Sequence, residues 1–112
     1  MVNNVDAQLN LIFGALADET RRSIITALIA GSKTINELAK PFEMSLPAIL
    51  KHLKVLERAS LIIRRKEGRV NHVELAPQAM TEVNEWIATY EAYWNDRFDA
   101  LESYLSEEKD PK

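Results

Sequence analysis

One segment near the middle of the chain, residues 46–59, has an apolar face and a basic face at helical spacing. The apolar side carries Ile49, Leu53 and Leu56, and the opposite side carries Pro47, Lys51, Lys54 and Arg58. Ser45 suits the N-cap position, and the missing N–H of Pro47 costs little in the first turn. The pattern predicts a helix that packs on one side and exposes a row of cations. An ordinary amphipathic surface helix is the alternative.

The residues that follow have the pattern of a β-hairpin. Residues 61–66 are β-branched and basic, and residues 70–75 alternate apolar with polar side chains. Gly68 lies between them, where a tight turn needs a positive φ. We therefore expect a two-stranded hairpin with a basic tip, ended by Pro77.

Three shorter helices are predicted before the basic helix. Residues 8–17 are strongly apolar at helical spacing, and Asp18 then suits the N-cap of a second helix that runs to about Ala30. Thr34 and Glu37 have the spacing of a capping box, so a third helix should start at Ile35. It should end near residue 42, because the proline at position 41 lacks an N–H.

A single long helix is expected over residues 78–107, which contain neither proline nor glycine. Its apolar and aromatic stripe is longer than the core of so small a protomer can cover, and an exposed stripe of this kind usually marks a partner surface. We expect a homodimer that uses the first helix and the last. The predicted interface comprises Leu9, Ile12, Phe13, Trp86, Ile87, Tyr90, Trp94, Phe98, Leu101 and Leu105. The alternative is a helix that folds back over its own domain.

Charge is distributed unevenly along the chain, although the net charge is only −3. Residues 18–76 carry eleven lysines and arginines against seven acids, whereas residues 77–112 carry three against nine. A basic middle and an acidic tail suggest two surfaces with different partners. Solvated charge without functional pattern is the alternative.

Several function classes find no support in the residues. There is no cysteine, which excludes disulfides and thiolate metal sites. Both histidines, His52 and His72, precede the last helix, so we expect no metal and no cofactor. A phosphate-binding glycine loop and a nucleophile elbow are both missing, which argues against an enzyme. No apolar run is long enough to span a membrane, and we expect a cytoplasmic protein.

The combination of short helix, turn, basic helix and basic hairpin resembles the ArsR/SmtB-type bacterial transcriptional repressors. The resemblance covers about residues 9–76 and rests on residues 16–22, 35–39, 45–56 and 61–69. The cysteine-free aromatic tail is similar to a metal-independent subgroup. The resemblance implies a mainly α winged helix-turn-helix with a small β-hairpin, dimeric through its terminal helices. It also implies a homodimer that binds an inverted-repeat DNA operator, usually to repress. We expect one domain over 1–112, with its core at 9–76.

Three positions depart from the family pattern. Glu43 and Ser60 stand where glycine is common, so each should adopt a positive φ at a cost of about 1 kcal/mol. Leu50 replaces a small polar residue beside the basic row, which would make base readout there apolar or absent.

The predicted site places the basic helix in the major groove of double-stranded DNA and the hairpin along the backbone. The expected contacts are Ser45, Leu46, Pro47, Ala48, Lys51, His52, Lys54, Arg58, Arg64, Arg65, Lys66, Arg69 and Arg22. An intramolecular ion pair is the alternative for Arg22, and a half-buried structural histidine is the alternative for His52. A winged-helix module that binds protein rather than DNA is the rival function. A small apolar effector between the aromatic helices stays open and unidentified.

Overall fold

A computed structural model of the chain describes residues 4–78 and 80–109. Positions 1–3, 79 and 110–112 of the expected 1–112 domain lie outside the described residues. The chain divides into two compact units between Met80 and Thr81. The first unit contains α1 (Asn4–Leu16), α2 (Glu19–Ile29), β1 (Lys33–Thr34), α3 (Ile35–Ala39), a 3-10 turn (Lys40–Phe42), α4 (Leu46–Arg58), β2 (Ile62–Glu67) and β3 (Val70–Leu75). The second contains α5 (Thr81–Lys109).

The helix starts in the first unit are set by side-chain caps, as the sequence predicts. Asp18 accepts a hydrogen bond from the Arg21 N–H at 3.0 Å at the start of α2. At the start of α3, the Glu37 N–H donates to the Thr34 hydroxyl at 3.1 Å, and the Thr34 N–H donates to the Glu37 carboxylate at 2.8 Å. Each cap satisfies N–H groups that the helix cannot pair itself, so both boundaries are local properties of the sequence.

Among the described residues, the sheet has three antiparallel strands in the order β1-β3-β2, so the predicted hairpin of β2 and β3 is extended by one strand that the sequence analysis did not predict. The hairpin itself is confirmed, with Arg65 opposite His72. The additional strand, β1, is only two residues long and pairs Lys33 with Val73. So short a strand shows no alternation in the sequence, and it exists because β3 offers it a free edge.

The core of the first unit is built from aliphatic side chains of every helix and of β3. Its largest fully buried residues are Ile12, Ile24, Leu38, Ile49, Leu53, Leu56 and Val73. Leu9 and Ile12, expected at the dimer interface, are only 8% and 1% exposed in the single chain. They have little exposed surface in the single chain, and their contact with a second copy stays a prediction.

Two non-glycine residues adopt the left-handed conformation predicted for them. Glu43 has φ = 52° after the 3-10 turn, and Ser60 has φ = 61° between α4 and β2. Glu43 precedes the Ser45 cap of α4, and Ser60 follows the last residues of that helix, so both lie in the connections on either side of α4. Gly68 has φ = 63° in the hairpin turn, where it avoids the steric cost that a side chain would bring.

The second unit is a 29-residue helix, about 43 Å long at 1.5 Å per residue. It begins at Thr81, three residues later than the sequence suggested. Among the residues that the structure describes, no helix is both long and apolar enough to cross a membrane.

Candidate nucleic-acid interface

The exposed side of α4 is basic and its opposite side is buried, as the sequence predicts. Ile49, Leu53 and Leu56 have no exposed surface. Lys51, Lys54 and Arg58 are all exposed. Burial of the apolar side holds the helix to the body of the unit, so its cations are presented on a rigid element.

A concave surface between α4 and the hairpin brings together residues that are distant in the sequence. Its volume is about 380 Å³, and it is lined by Pro47, Leu50, Lys51, Lys54 and Arg64. We call the hairpin of β2 and β3 the wing, and this surface the α4–wing concavity. Four of these five residues were predicted contacts. Leu50 was identified in the sequence only as a departure from the family pattern.

The start of α4 is exposed and capped. Ser45, Leu46 and Pro47 are exposed, and Ala48 is half-buried. The Ala48 N–H donates to the Ser45 hydroxyl at 3.3 Å, and Pro47 has no N–H to offer. The first turn therefore presents fewer N–H donors to a phosphate than an uncapped helix would.

Arg64 is held against α4 by an ion pair that sequence reasoning missed. Its Nε and Nη2 atoms donate to Oε1 of Glu57 at 3.1 and 2.7 Å. A charge-assisted pair with two donors restrains the guanidinium more strongly than a single contact. Arg64 therefore belongs to the wall of the α4–wing concavity and not to the wing tip. No local sequence signal shows this, because the two residues meet only when the turn after α4 closes.

The remaining cations of the wing fall into two groups. Arg65 donates to Glu67 at 3.2 Å and to Glu74 at 3.3 Å, so two acids compensate its charge. Lys66 and Arg69 are exposed, and neither has an ion pair within residues 4–78 and 80–109. The uncompensated positive charge of the wing therefore lies at Lys66 and Arg69.

Within residues 4–78 and 80–109, Arg22 forms no ion pair, which was one of its two expected roles. Its Nη1 atom donates to the Leu16 carbonyl at 2.7 Å, and the neighbouring Arg21 Nε donates to the Ala15 carbonyl at 2.6 Å. Both guanidiniums therefore cap the carboxyl end of α1, where carbonyls lack helical partners and cations are favoured. The phosphate contact of Arg22 stays a prediction.

His52 is half-buried at the edge of α4, with 21% of its side chain exposed. Its Nδ1 lies 3.8 Å from Oδ2 of Asp18, which is too long for a hydrogen bond. The pKa of the Asp18 carboxyl is lowered from its ordinary value of 3.8, first by the hydrogen bond from the N–H of Arg21 and then by the electrostatic effect of the nearby Arg21 and His52 side chains. The half-burial of His52 is compatible with its structural alternative, and its DNA contact stays a prediction.

The carboxyls at the two helix caps predict how stability depends on pH. The Thr34 N–H and hydroxyl lower the pKa of Glu37 below its ordinary value of 4.5. A carboxyl with a lowered pKa in the folded state stabilises the fold above its unfolded pKa, and this contribution is lost as the pH falls. We expect Glu37→Gln, which can still close the capping box, to lose less melting temperature than the wild type between about pH 5 and pH 3. Thermal unfolding followed by circular dichroism measures this, and equal pH slopes would contradict it.

Along α5, aromatic side chains follow one another on one face and are exposed. Trp86 and Tyr90 stack at 5.4 Å between ring centroids, and Trp94 contacts Tyr90 and Phe98 at 6.1 and 5.8 Å. The side chains that follow Tyr90 on this face are all exposed: the exposed fraction is 51% for Tyr93, 40% for Trp94, 60% for Phe98, 54% for Leu101, 58% for Tyr104 and 47% for Leu105. We call these six residues and Tyr90 the α5 stripe. So much contiguous apolar surface is unusual on a monomer.

The remaining predicted residues are placed as follows. Phe13 is 40% exposed and Ile87 is 38% exposed. His72 lies 3.8 Å from Glu67 across the hairpin. In the part of the chain that the structure describes, no three histidine or carboxylate side chains are grouped so that they could hold a metal ion.

Comparisons with known proteins agree with this geometry. A family described as a helix-turn-helix domain matches residues 16–65. The chain is 29% identical over 82 residues to the transcriptional repressor SdpR of Bacillus subtilis. The matched segment covers 73% of this chain and 91% of that protein. It is 34% identical over 98 residues to the arsenic resistance transcriptional regulator ArsR1 of Pseudomonas putida, which covers 86% of this chain and 70% of that one.

A similar solved structure is described as an ArsR family transcriptional regulator. It has 41% sequence identity and a TM-score of 0.75, covering 85% of this chain and 97% of that one. The resemblance found in the sequence is thereby confirmed, and so is the winged helix-turn-helix fold. The chain belongs to the ArsR family of transcriptional regulators.

Proposed function

We propose that this chain is a sequence-specific DNA-binding repressor that acts as a homodimer on an inverted-repeat operator. The observation that carries the proposal is the α4–wing concavity. Lys51 and Lys54 lie there on the exposed side of α4, Arg64 lies across from them on β2, and the other side of α4 is buried. The major groove admits one helix, and flanking cations neutralise phosphates on either side.

The charge distribution supports a single DNA-binding surface. Residues 45–69 carry seven lysines and arginines against two acids, whereas the chain from residue 77 onward has a charge of −6. An acidic helix is repelled by phosphate, so the field of the protein favours approach through α4 and the wing. The low net charge of the chain is therefore compatible with DNA binding.

The α5 stripe supports a homodimer. Its seven residues would remain in water in a monomer, at a free-energy cost of about 25 cal/mol for each Å² of apolar surface. A second copy of the same stripe is the self-complementary partner that a two-fold interface requires. Two copies of α4 related by this symmetry would match the two halves of an inverted repeat.

Titration of a labelled duplex from the region upstream of the chain's own gene tests the function. We expect a discrete complex in a gel shift, with an affinity that falls steeply as salt is raised. Excess unrelated duplex should compete poorly. A complete lack of complex at low salt would overturn the proposal and would favour the protein-binding alternative.

The wing cations should differ in their effect on this binding. Arg69→Ala is expected to weaken binding to all duplexes similarly and to reduce the slope of log affinity against log salt by about 1. Arg65→Ala should lower the affinity and the salt slope less than Arg69→Ala does, because Glu67 and Glu74 already compensate the charge of Arg65. Fluorescence anisotropy at four or five salt concentrations measures both slopes. Identical slopes in the wild type and Arg69→Ala would show that Arg69 touches no phosphate.

A further inference from the structure

The α4–wing concavity contains an apolar patch that phosphate binding does not explain. Leu50 is 37% exposed, and Pro47 is also exposed. Residues three apart on a helix are neighbours, so the two side chains form one continuous patch. Lysines 51 and 54 adjoin it on α4, and Arg64 lies across from it. The apolar contact is thus framed by cations on a surface that faces out of the protein.

Contacts within the protein restrain the residues around this apolar patch. Arg64 is bound to Glu57 through two donors, so its guanidinium is not available to move over Leu50. The buried side of α4 restrains the backbone that carries Leu50. A ligand for this patch must therefore be apolar where it meets Leu50 and anionic where it meets Lys51 and Lys54, whose charges no ion pair among the described residues compensates.

Thymine in duplex DNA meets this description. Its 5-methyl group is the apolar feature that an unmodified base pair presents in the major groove, and phosphates flank it on both sides. The other base edges present hydrogen-bond donors and acceptors there. Leucine and proline side chains have no polar atom, so burying those edges against them would leave hydrogen bonds unmade.

We propose that Leu50, together with Pro47, contacts the 5-methyl group of a thymine in each operator half-site and so determines the preferred base at that position. The inference rests on the proposed DNA-binding function. Burial of one methyl group against an apolar side chain corresponds to about a fourfold gain in affinity. With two symmetric half-sites, removing both methyl groups should reduce affinity about 15-fold.

The test uses the full chain and a duplex that it selects from a random library. Each thymine is replaced in turn by deoxyuridine, symmetrically in both half-sites, which removes the methyl group and keeps every hydrogen-bonding atom. For the wild type, we expect one position at which uracil in both half-sites weakens binding about 15-fold. For Leu50→Ala, the loss of affinity caused by uracil at that position should be clearly smaller than for the wild type, because only Pro47 and the shorter alanine side chain then face the methyl group.

Val55→Ala is the matched control. Val55 is also on α4 and also 37% exposed, but it does not line the concavity. This variant should keep the discrimination between thymine and uracil. Thermal unfolding of the three proteins shows whether Leu50→Ala is folded before its binding is compared.

Two results would overturn the inference while leaving DNA binding established. One is a selected duplex to which the wild type binds equally well with thymine or uracil at every position. The other is a loss of affinity on replacing thymine by uracil that is as large for Leu50→Ala as for the wild type. Failure of the protein to enrich any duplex would instead overturn the proposed function, and the inference with it.

Discussion

Replacing Lys51 by alanine is expected to weaken binding to the cognate duplex by about 1–3 kcal/mol, which is roughly fivefold to 150-fold in affinity. Lys51 is exposed on α4 and lines the α4–wing concavity, where its ammonium can reach a guanine edge or a phosphate. Affinity for the selected duplex and for an unrelated one, measured at the same salt concentration, separates these two contacts. Loss confined to the selected duplex indicates a base contact, and an equal loss on both indicates a phosphate.

Lys40→Ala is the control for the loss of one positive charge. Lys40 is exposed on the 3-10 turn and does not line the concavity. It should therefore change the affinity much less than Lys51→Ala. If the two variants lose the same affinity, net charge alone explains the effect, and the assignment of α4 as the recognition helix loses its main support.

Trp94→Asp and Leu101→Asp are expected to convert the dimer into monomers. Each puts a carboxylate into the centre of the α5 stripe, where a symmetric partner would bury it without a counter-ion. We expect a cost of at least about 3 kcal/mol, or more than a hundredfold in the dimer dissociation constant. Sedimentation equilibrium across a range of concentrations measures the mass. Affinity for a full inverted repeat should fall with it, while affinity for a single half-site changes little.

Asn95→Asp is the matched control, since it adds the same charge next to Trp94. At helical spacing it lies on the side of α5 away from the stripe, so dimerisation should persist. An unchanged dimer mass for both stripe variants would show that the chain assembles through another surface.

The four cations of the wing are not equally available for phosphate contacts. The sequence shows Arg64, Arg65, Lys66 and Arg69 as one basic group. In the structure, Glu57 holds one of them beside α4, and two acids compensate another. The salt dependence of DNA binding should therefore reflect fewer phosphate contacts than a count of cations would give.

Local features of the fold could be predicted because they depend on residues close in sequence. The caps at Asp18 and Thr34, the apolar side of α4 and the positive φ of Glu43 and Ser60 were all expected and are all observed. Each follows from a side chain and the backbone within a few residues of it. The row of exposed cations on α4 follows from the same helical period, since burying one side of a helix exposes the other.

Contacts between distant parts of the chain could not be predicted from neighbouring residues in the sequence. Strand β1 forms because β3 supplies a free edge, and Ile12 is buried because the core closes over α1. The Glu57–Arg64 pair forms only after the turn beyond α4 has placed the two side chains together. The same closure places Leu50 and Pro47 among three cations. The sequence by itself thus determined which residues are cationic or apolar and on which helix side they fall. Tertiary packing decided which of them share one surface, because contacts between elements depend on all the elements at once.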